Sequence, residues 1–190
     1  KSAPPRGYRG LHAGRLTLSA GLGGSAGFFS ANPGGALGLF TSRFAFGPRF
    51  PLGARKRHVL GAGVEYVLHV VVAHDMPATI SGPANIHQAG PYLAYAFVPH
   101  PHFALQVHGS LRVTAGSVGP KSFVDLNPGG SASVCTLGMA LCASVGGFAS
   151  STGGMNAYSV MLEVDAFRVV DLALTRRQVT RQPGPRTSSR

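Results

Sequence analysis

The sequence predicts an all-β protein, with long antiparallel strands closing into an up-and-down β-barrel of about eight strands that spans a membrane. Three observations carry this expectation. Apolar and polar residues alternate with period two over most of the chain. The alternating runs reach the roughly 9 to 11 residues that cross a bilayer when tilted, where soluble strands average about 5 to 6. Only 12% of the 190 residues are charged, about half the share a water-exposed surface normally carries.

Taken in order, the first strand is read at Arg15 to Leu22, with Leu16, Leu18, Ala20 and Leu22 on one face and Arg15, Thr17, Ser19 and Gly21 on the other. The second, Gly35 to Phe46, turns Phe40, Phe44 and Phe46 one way and Arg43 the other. In the third, His58 to Val72, Leu60, Val64, Tyr66, Leu68 and Val70 oppose Glu65 and His69. The fourth, His87 to Val98, is marked by Leu93, Tyr95 and Phe97. The fifth, Phe103 to Thr114, is the clearest: Phe103, Leu105, Val107, Leu111 and Val113 alternate with Ala104, Gln106, His108, Ser110 and Arg112. Ser131 to Val145 supplies a sixth and Tyr158 to Ala166 a seventh, the latter setting Val160, Leu162 and Val164 against Glu163 and Asp165. Leu172 to Thr180, after a tight turn near Val170, is the candidate eighth, with poor alternation. Helix competes badly, because these runs are rich in Gly, Val and Phe and lack three-four spacing with capping residues.

The connections read as long between strands one and two, three and four, and five and six (Ser117 to Gly130). They read as short around Val98 to His102 and at Ala149 to Asn156, with Phe46 to Arg57 intermediate. Long links at one end and short ones at the other suit an up-and-down membrane barrel. The domain reading follows: 1–13 a basic N-terminal segment, 14–175 the barrel, 176–190 a basic flexible tail.

These alternating segments, Gly-rich strands and uneven loops, over about Gly14 to Val170, make the chain similar to the small bacterial outer-membrane β-barrel proteins. The resemblance is one of pattern. It implies an outer-membrane location, a lipid bilayer as partner, and a non-enzymatic role, structural or ligand-interacting through the long loops. Porin-like architecture is expected in that sense only.

The polar face then lines the interior. Arg43, Glu65, His69, His108, Arg112, Glu163 and Asp165 all fall on it. Buried charges must pair, since an isolated one costs several kcal/mol. A salt-bridge network plugging the lumen is therefore expected ahead of a transport path, because barrels of about eight strands have interiors filled by side chains.

Net charge is +11, with the excess at both chain ends and in Arg49 to Arg57. Such clusters attract phosphates on lipid headgroups or nucleic acid. The alternative of another class is a soluble, capsid-like β-sandwich binding nucleic acid through these basic tails. A lipocalin-like barrel stands third, with its faces inverted so that apolar residues lie inside. Oligomeric state is left open.

Catalytic and metal motifs are thin. Gly23-Gly24-Ser25-Ala26-Gly27 matches G-x-S-x-G, but a nucleophile elbow needs a following helix, and Asn32-Pro33-Gly34-Gly35 forbids a long one. It reads as a Gly-rich turn. The eight histidines lack zinc-site spacing, so neither metal nor cofactor is expected. Cys135 and Cys142, placed on one strand, would lie about 23 Å apart on opposite faces, beyond disulfide reach. They read as small apolar fillers.

Overall fold

The computed structural model describes residues 16–29, 36–53, 57–75, 85–100, 102–118, 121–151 and 155–180. Eight antiparallel strands close on themselves in chain order: β1 (Leu16–Phe29), β2 (Ala36–Leu52), β3 (His58–Asp75), β4 (Asn85–His100), β5 (Phe103–Val118), β6 (Lys121–Thr136), β7 (Leu141–Phe148) and β8 (Met155–Asp165). A helix, α1 (Ala166–Thr180), follows β8 without a break. Closure removes the free edges that an open sheet would present.

Side-chain orientation decides what surrounds the barrel. On β5, Leu105, Val107 and Leu111 are 45%, 56% and 46% exposed, while Ala104, His108, Arg112 and Thr114 are buried. Phe40, Phe44 and Phe46 on β2 and Leu162 on β8 are likewise exposed, and Thr41, Arg43 and Glu163 are buried. The pleat therefore turns apolar residues outward on every side. Leaving that belt in water would forfeit about 25 cal/mol for each Å² left wet, whereas in hydrocarbon it is matched to its surroundings. This surface excludes both soluble alternatives. The sandwich, with the nucleic-acid partner it carried, fails because the sheet is a single closed barrel. The lipocalin-like barrel fails because its apolar face would point inward.

The strands are tilted. Following the strand register once round the wall from Gly27 passes Ala157, Phe148, Gly129, Ser110, Tyr92, Gly63 and, one step on from the Phe46–Val64 pair, Gly47, and arrives at Thr17, ten positions back along β1. This stagger is the shear that sets barrel width, and eight strands leave an interior just wide enough to fill with side chains. Some wall contacts are so close that only glycine fits. A Cβ on Gly47 would lie 2.0 Å from the Ala62 carbonyl oxygen, and one on Gly63 2.1 Å from that of Phe46.

Several sequence expectations change. The eighth strand does not come from Leu172 to Thr180, which is helical; it arises because Ser131 to Val145 is two strands, β6 and β7, folded back at a 3-10 turn over Leu137–Met139. That turn has positive φ at Leu137, Gly138 and Met139 (52°, 67° and 71°), a left-handed backbone that side-chain-bearing residues resist. The long connection expected over Ser117 to Gly130 is instead strand: β5 runs to Val118 and β6 starts at Lys121, with Val118 paired to Lys121. Val124 and Leu126 point out while Asn127 is buried, so period two persists through a Pro- and Gly-rich stretch. β2 continues to Leu52 through the region read as a connection, and Gly23 to Gly27 lies inside β1 rather than in a turn.

Cys135 and Cys142 are bonded to one another, contrary to the expectation for a single strand. The intervening turn brings them opposite each other on neighbouring strands, with Cα atoms 4.0 Å apart. Seven residues of sequence separation thus become one cross-strand pair.

Two ends can now be distinguished. The β1–β2, β3–β4, β5–β6 and β7–β8 connections share the loop end; the start of β1, the end of β8 and the other three connections share the terminal end. Residues 1–15 and 181–190, including most of both basic tails, lie outside the described residues. Helix α1 covers the first five residues assigned to the C-terminal tail.

Candidate functional site in the barrel lumen

The central lumen holds a network of charged side chains from opposite walls. Arg43 on β2 is its hub. Its Nε donates to Glu65 Oε2 (2.8 Å), and its Nη1 donates to Glu163 Oε2 (2.9 Å) and Oε1 (3.1 Å). Arg112 on β5 donates through Nε to Glu65 Oε1 and through Nη1 to Gln88 Oε1 (3.1 Å). Ser144 on β7 donates to Glu163 Oε1 (2.8 Å). Two guanidinium groups thus face two carboxylates, and the cluster is neutral as a set. All four side chains are at most 10% exposed. In so dry a place charge pairing with hydrogen bonds to the remaining lone pairs is what makes burial tolerable.

His108 stands beside the hub, with Nε2 2.7 Å from Arg43 Nη2. The same Nε2 lies 3.2 Å from Glu65 Oε2, so it faces both a guanidinium donor and a carboxylate acceptor. The ring also lies tilted against Tyr92, with centroids 5.1 Å apart. Nδ1 has no protein partner, nor has Nη1 of Arg49, and both residues line a cavity of about 30 Å³. This is room for one or two waters.

His69 belongs to the same layer at one remove. Its Nδ1 is 2.8 Å from the Thr41 hydroxyl, which in turn lies 2.5 Å from that of Ser25, and its Nε2 reaches Gln88 Oε1 at 3.4 Å. Ser25, the centre of the G-x-S-x-G match, is therefore tied to a threonine on the next strand. The chain around it is strand on both sides, without the strand-to-helix bend a nucleophile requires.

Asp165 stands apart from the central group. At the terminal end its Oδ2 accepts from Thr17 Oγ1 (2.6 Å) and pairs with Arg49 Nη2 (3.0 Å). Its Oδ1 accepts from the backbone N–H groups of Phe167 and Arg168 (3.1 and 3.2 Å). It is at once the last residue of β8 and the N-cap of α1, the position where a carboxylate satisfies orphan helix donors.

Apolar side chains bracket the polar layer. Towards the loop end, Leu37, Leu39, Ile86, Phe148, Met155 and Ala157 form one buried cluster. Towards the terminal end, Ala96, Val98, Ala104, Cys135 and Met139 form another. The central ionic group thus lies between two apolar clusters, the second of which shares the terminal end with Thr17, Arg49 and Asp165.

Sequence reasoning missed Thr41, Gln88, Ser144, Arg49 and Thr17. Each has inward parity, so extending the alternation to uncharged polar residues would have found four of them. Arg49 was hidden by the reading of Phe46 to Arg57 as a connection.

No protein-family model and no curated protein matches the chain. Solved structures do. Neisserial surface protein A (NspA) superposes with a TM-score of 0.58 at 14% identity, covering 80% of this chain and 96% of that one. The outer-membrane enzyme PagL gives 0.53 at 11% identity, covering 78% and 98%. The fold is that of the small outer-membrane barrels. At such identities the likeness is one of fold alone, and the chemistry must come from the residues described above.

Proposed function

We propose that the chain is a non-enzymatic outer-membrane β-barrel with a plugged lumen, a stable membrane scaffold whose loop end supplies whatever recognition it performs. The observation that supports this most directly is the charge-paired centre of the lumen between two apolar clusters. Arg43, Arg112, Glu65 and Glu163 consume one another's charge in the centre, with a buried apolar cluster around Phe148 towards the loop end and another around Met139 towards the terminal end. Carboxylates so fully engaged by arginine are poor proton carriers for acid-base chemistry. At the loop end, the start of the β7–β8 connection is clipped to β6, with Ala149 N donating to Pro128 O (3.0 Å) and Ser151 N to Leu126 O (3.2 Å). Ser151 Oγ donates to Asp125 Oδ1 (2.8 Å). This gives the loop end a fixed polar platform.

The test is reconstitution. The refolded full chain should partition into bilayers, migrate heat-modifiably on gels and show no conductance above leak in planar membranes. Stable open channels would overturn the plug. A monodisperse protein in detergent-free buffer would overturn the membrane reading itself.

A further inference from the structure

The topology sorts the charge of this chain by end. Of seventeen lysines and arginines, Arg43 and Arg112 are in the lumen and Lys121 opens β6 at the loop end. The other fourteen belong to segments that join the barrel at its terminal end. The acids divide evenly, with Glu65 and Glu163 in the lumen, Asp75 and Asp125 at the loop end, and Asp165 and Asp171 at the terminal end. The lumen is therefore neutral, the loop end formally −1 and the segments that join at the terminal end +12, which together make the net +11. In the sequence the basic clusters are three separate stretches; closure of the barrel makes all three join it at one rim.

Helix α1 leaves the barrel at that rim, and its faces are reversed from those of a helix packed on a soluble core. The side it turns to the barrel is polar: Arg168 is buried and Asp171 half-buried, three residues apart and so on one face. The side it turns away is apolar, with Phe167, Val169, Val170 and Leu172 exposed. In water this is the wrong way round. At the edge of a bilayer it is the right way, because the exposed Val164 of β8 and Leu16 and Leu18 of β1 lead directly into it. Arg176 and Arg177 follow in the sequence of the same helix, and cationic residues next to an apolar helix face are the composition of interfacial helices that bind anionic lipid.

We infer that α1 is an interfacial anchor that lies in the leaflet at the terminal end and binds anionic phospholipid headgroups there, so that the charge partition fixes the barrel's depth and sidedness. This inference rests on the membrane-barrel reading above. It commits to lipid because the apolar helix face adjoins the lipid-facing belt and the adjoining charge is predominantly positive.

The chain contains no tryptophan, so a single introduced Trp reports without background. Val170→Trp probes the helix, and Leu93→Trp, at a 70% exposed site on the outward face of β4, probes the barrel wall. Both full-length variants are refolded into vesicles of phosphatidylcholine alone or mixed with phosphatidylglycerol, and quenching by brominated lipids is compared with quenching by acrylamide. Leu93→Trp should be quenched by lipid in both compositions; if it is not, the membrane-barrel reading fails. Val170→Trp should be quenched by shallow brominated lipid and shielded from acrylamide, with quenching at least about twofold stronger in the anionic vesicles. Arg176→Glu with Arg177→Glu should remove that difference while leaving Leu93→Trp unchanged. If Leu93→Trp is quenched while Val170→Trp stays open to acrylamide, the anchor is overturned and the barrel survives. Equal quenching of Val170→Trp in both vesicles overturns headgroup binding. Protection that grows with protein concentration and ignores lipid composition assigns the face to a second copy and overturns the inference as well.

Discussion

Arg43 reaches past strand β1 to hold Glu163 of β8 through one guanidinium nitrogen, 2.9 Å from Oε2, while its Nε holds Glu65 of the neighbouring β3. One side chain thereby ties together walls far apart in sequence, and it does so in charge balance. Truncating Arg43 to Met leaves two carboxylates against Arg112; changing Glu163 to Gln leaves two guanidinium groups against Glu65. Each single change should cost about 3–5 kcal/mol, the usual result of orphaning a buried charge. The double variant restores balance through Glu65 and Arg112 and should cost clearly less than the two costs added together. Urea unfolding of the refolded protein in lipid, followed by tyrosine fluorescence or gel mobility, measures the cycle. Additive costs would mean that the four charges do not act as one set.

Much of this was legible in the sequence, for a physical reason. A membrane barrel enforces period two twice over, by hydrocarbon outside and by confined polar groups inside, so the pattern of Phe103 to Thr114 survives almost residue for residue as exposed and buried. What escaped reading was whatever depends on closure. Gly, Pro and Asn in Lys121 to Gly130 have the composition of a loop, yet paired residue by residue along β5, and from Gly129 along β7 as well, the segment needs no strong strand propensity of its own. The turn at Leu137–Met139 carries no turn residue except Gly138, so it was hidden inside an apolar run. Missing it placed the cysteines apart and miscounted the strands. Asp165 looked like a lumen charge by parity, and only the position of α1 shows that it caps a helix.

The glycines of the wall separate into those that are required and those that are not. Gly47→Ala would set a methyl carbon 2.0 Å from the Ala62 carbonyl oxygen, and because the obstacle is backbone, two strands must part. Gly24→Ala, on the outward face of β1, meets nothing within 4 Å. The expected loss is at least about 1–3 kcal/mol for Gly47→Ala, and close to zero for Gly24→Ala. Side-by-side urea titrations check this, and equal stabilities would contradict the close approach of β2 and β3.

The Cys135–Cys142 bond closes a short loop around the left-handed turn at Leu137–Met139. On chain-entropy grounds a loop of this length contributes about 2.5 kcal/mol. Replacing both cysteines by serine should lower unfolding free energy by roughly that amount, with barrel formation retained. Peptide mapping without reductant should recover the two cysteines in one linked species, and thiol alkylation of the folded protein should find no free cysteine. Stoichiometric alkylation without reductant would disprove the bond.

The last expectation concerns the outside of the wall. Leu93 lies midway along β4 and is 70% exposed, a position that in a soluble protein would welcome charge. In a bilayer the same position sits near the hydrocarbon centre, so Leu93→Arg should destabilise the barrel by about 2–4 kcal/mol. His87→Arg, at an outward position two residues from the loop-end start of β4, should cost only about 0–1 kcal/mol. The depth dependence is the informative quantity, because a surface in water has none. Reversible unfolding from lipid vesicles gives both values, and a penalty that did not rise from the strand end to its middle would place this surface in water.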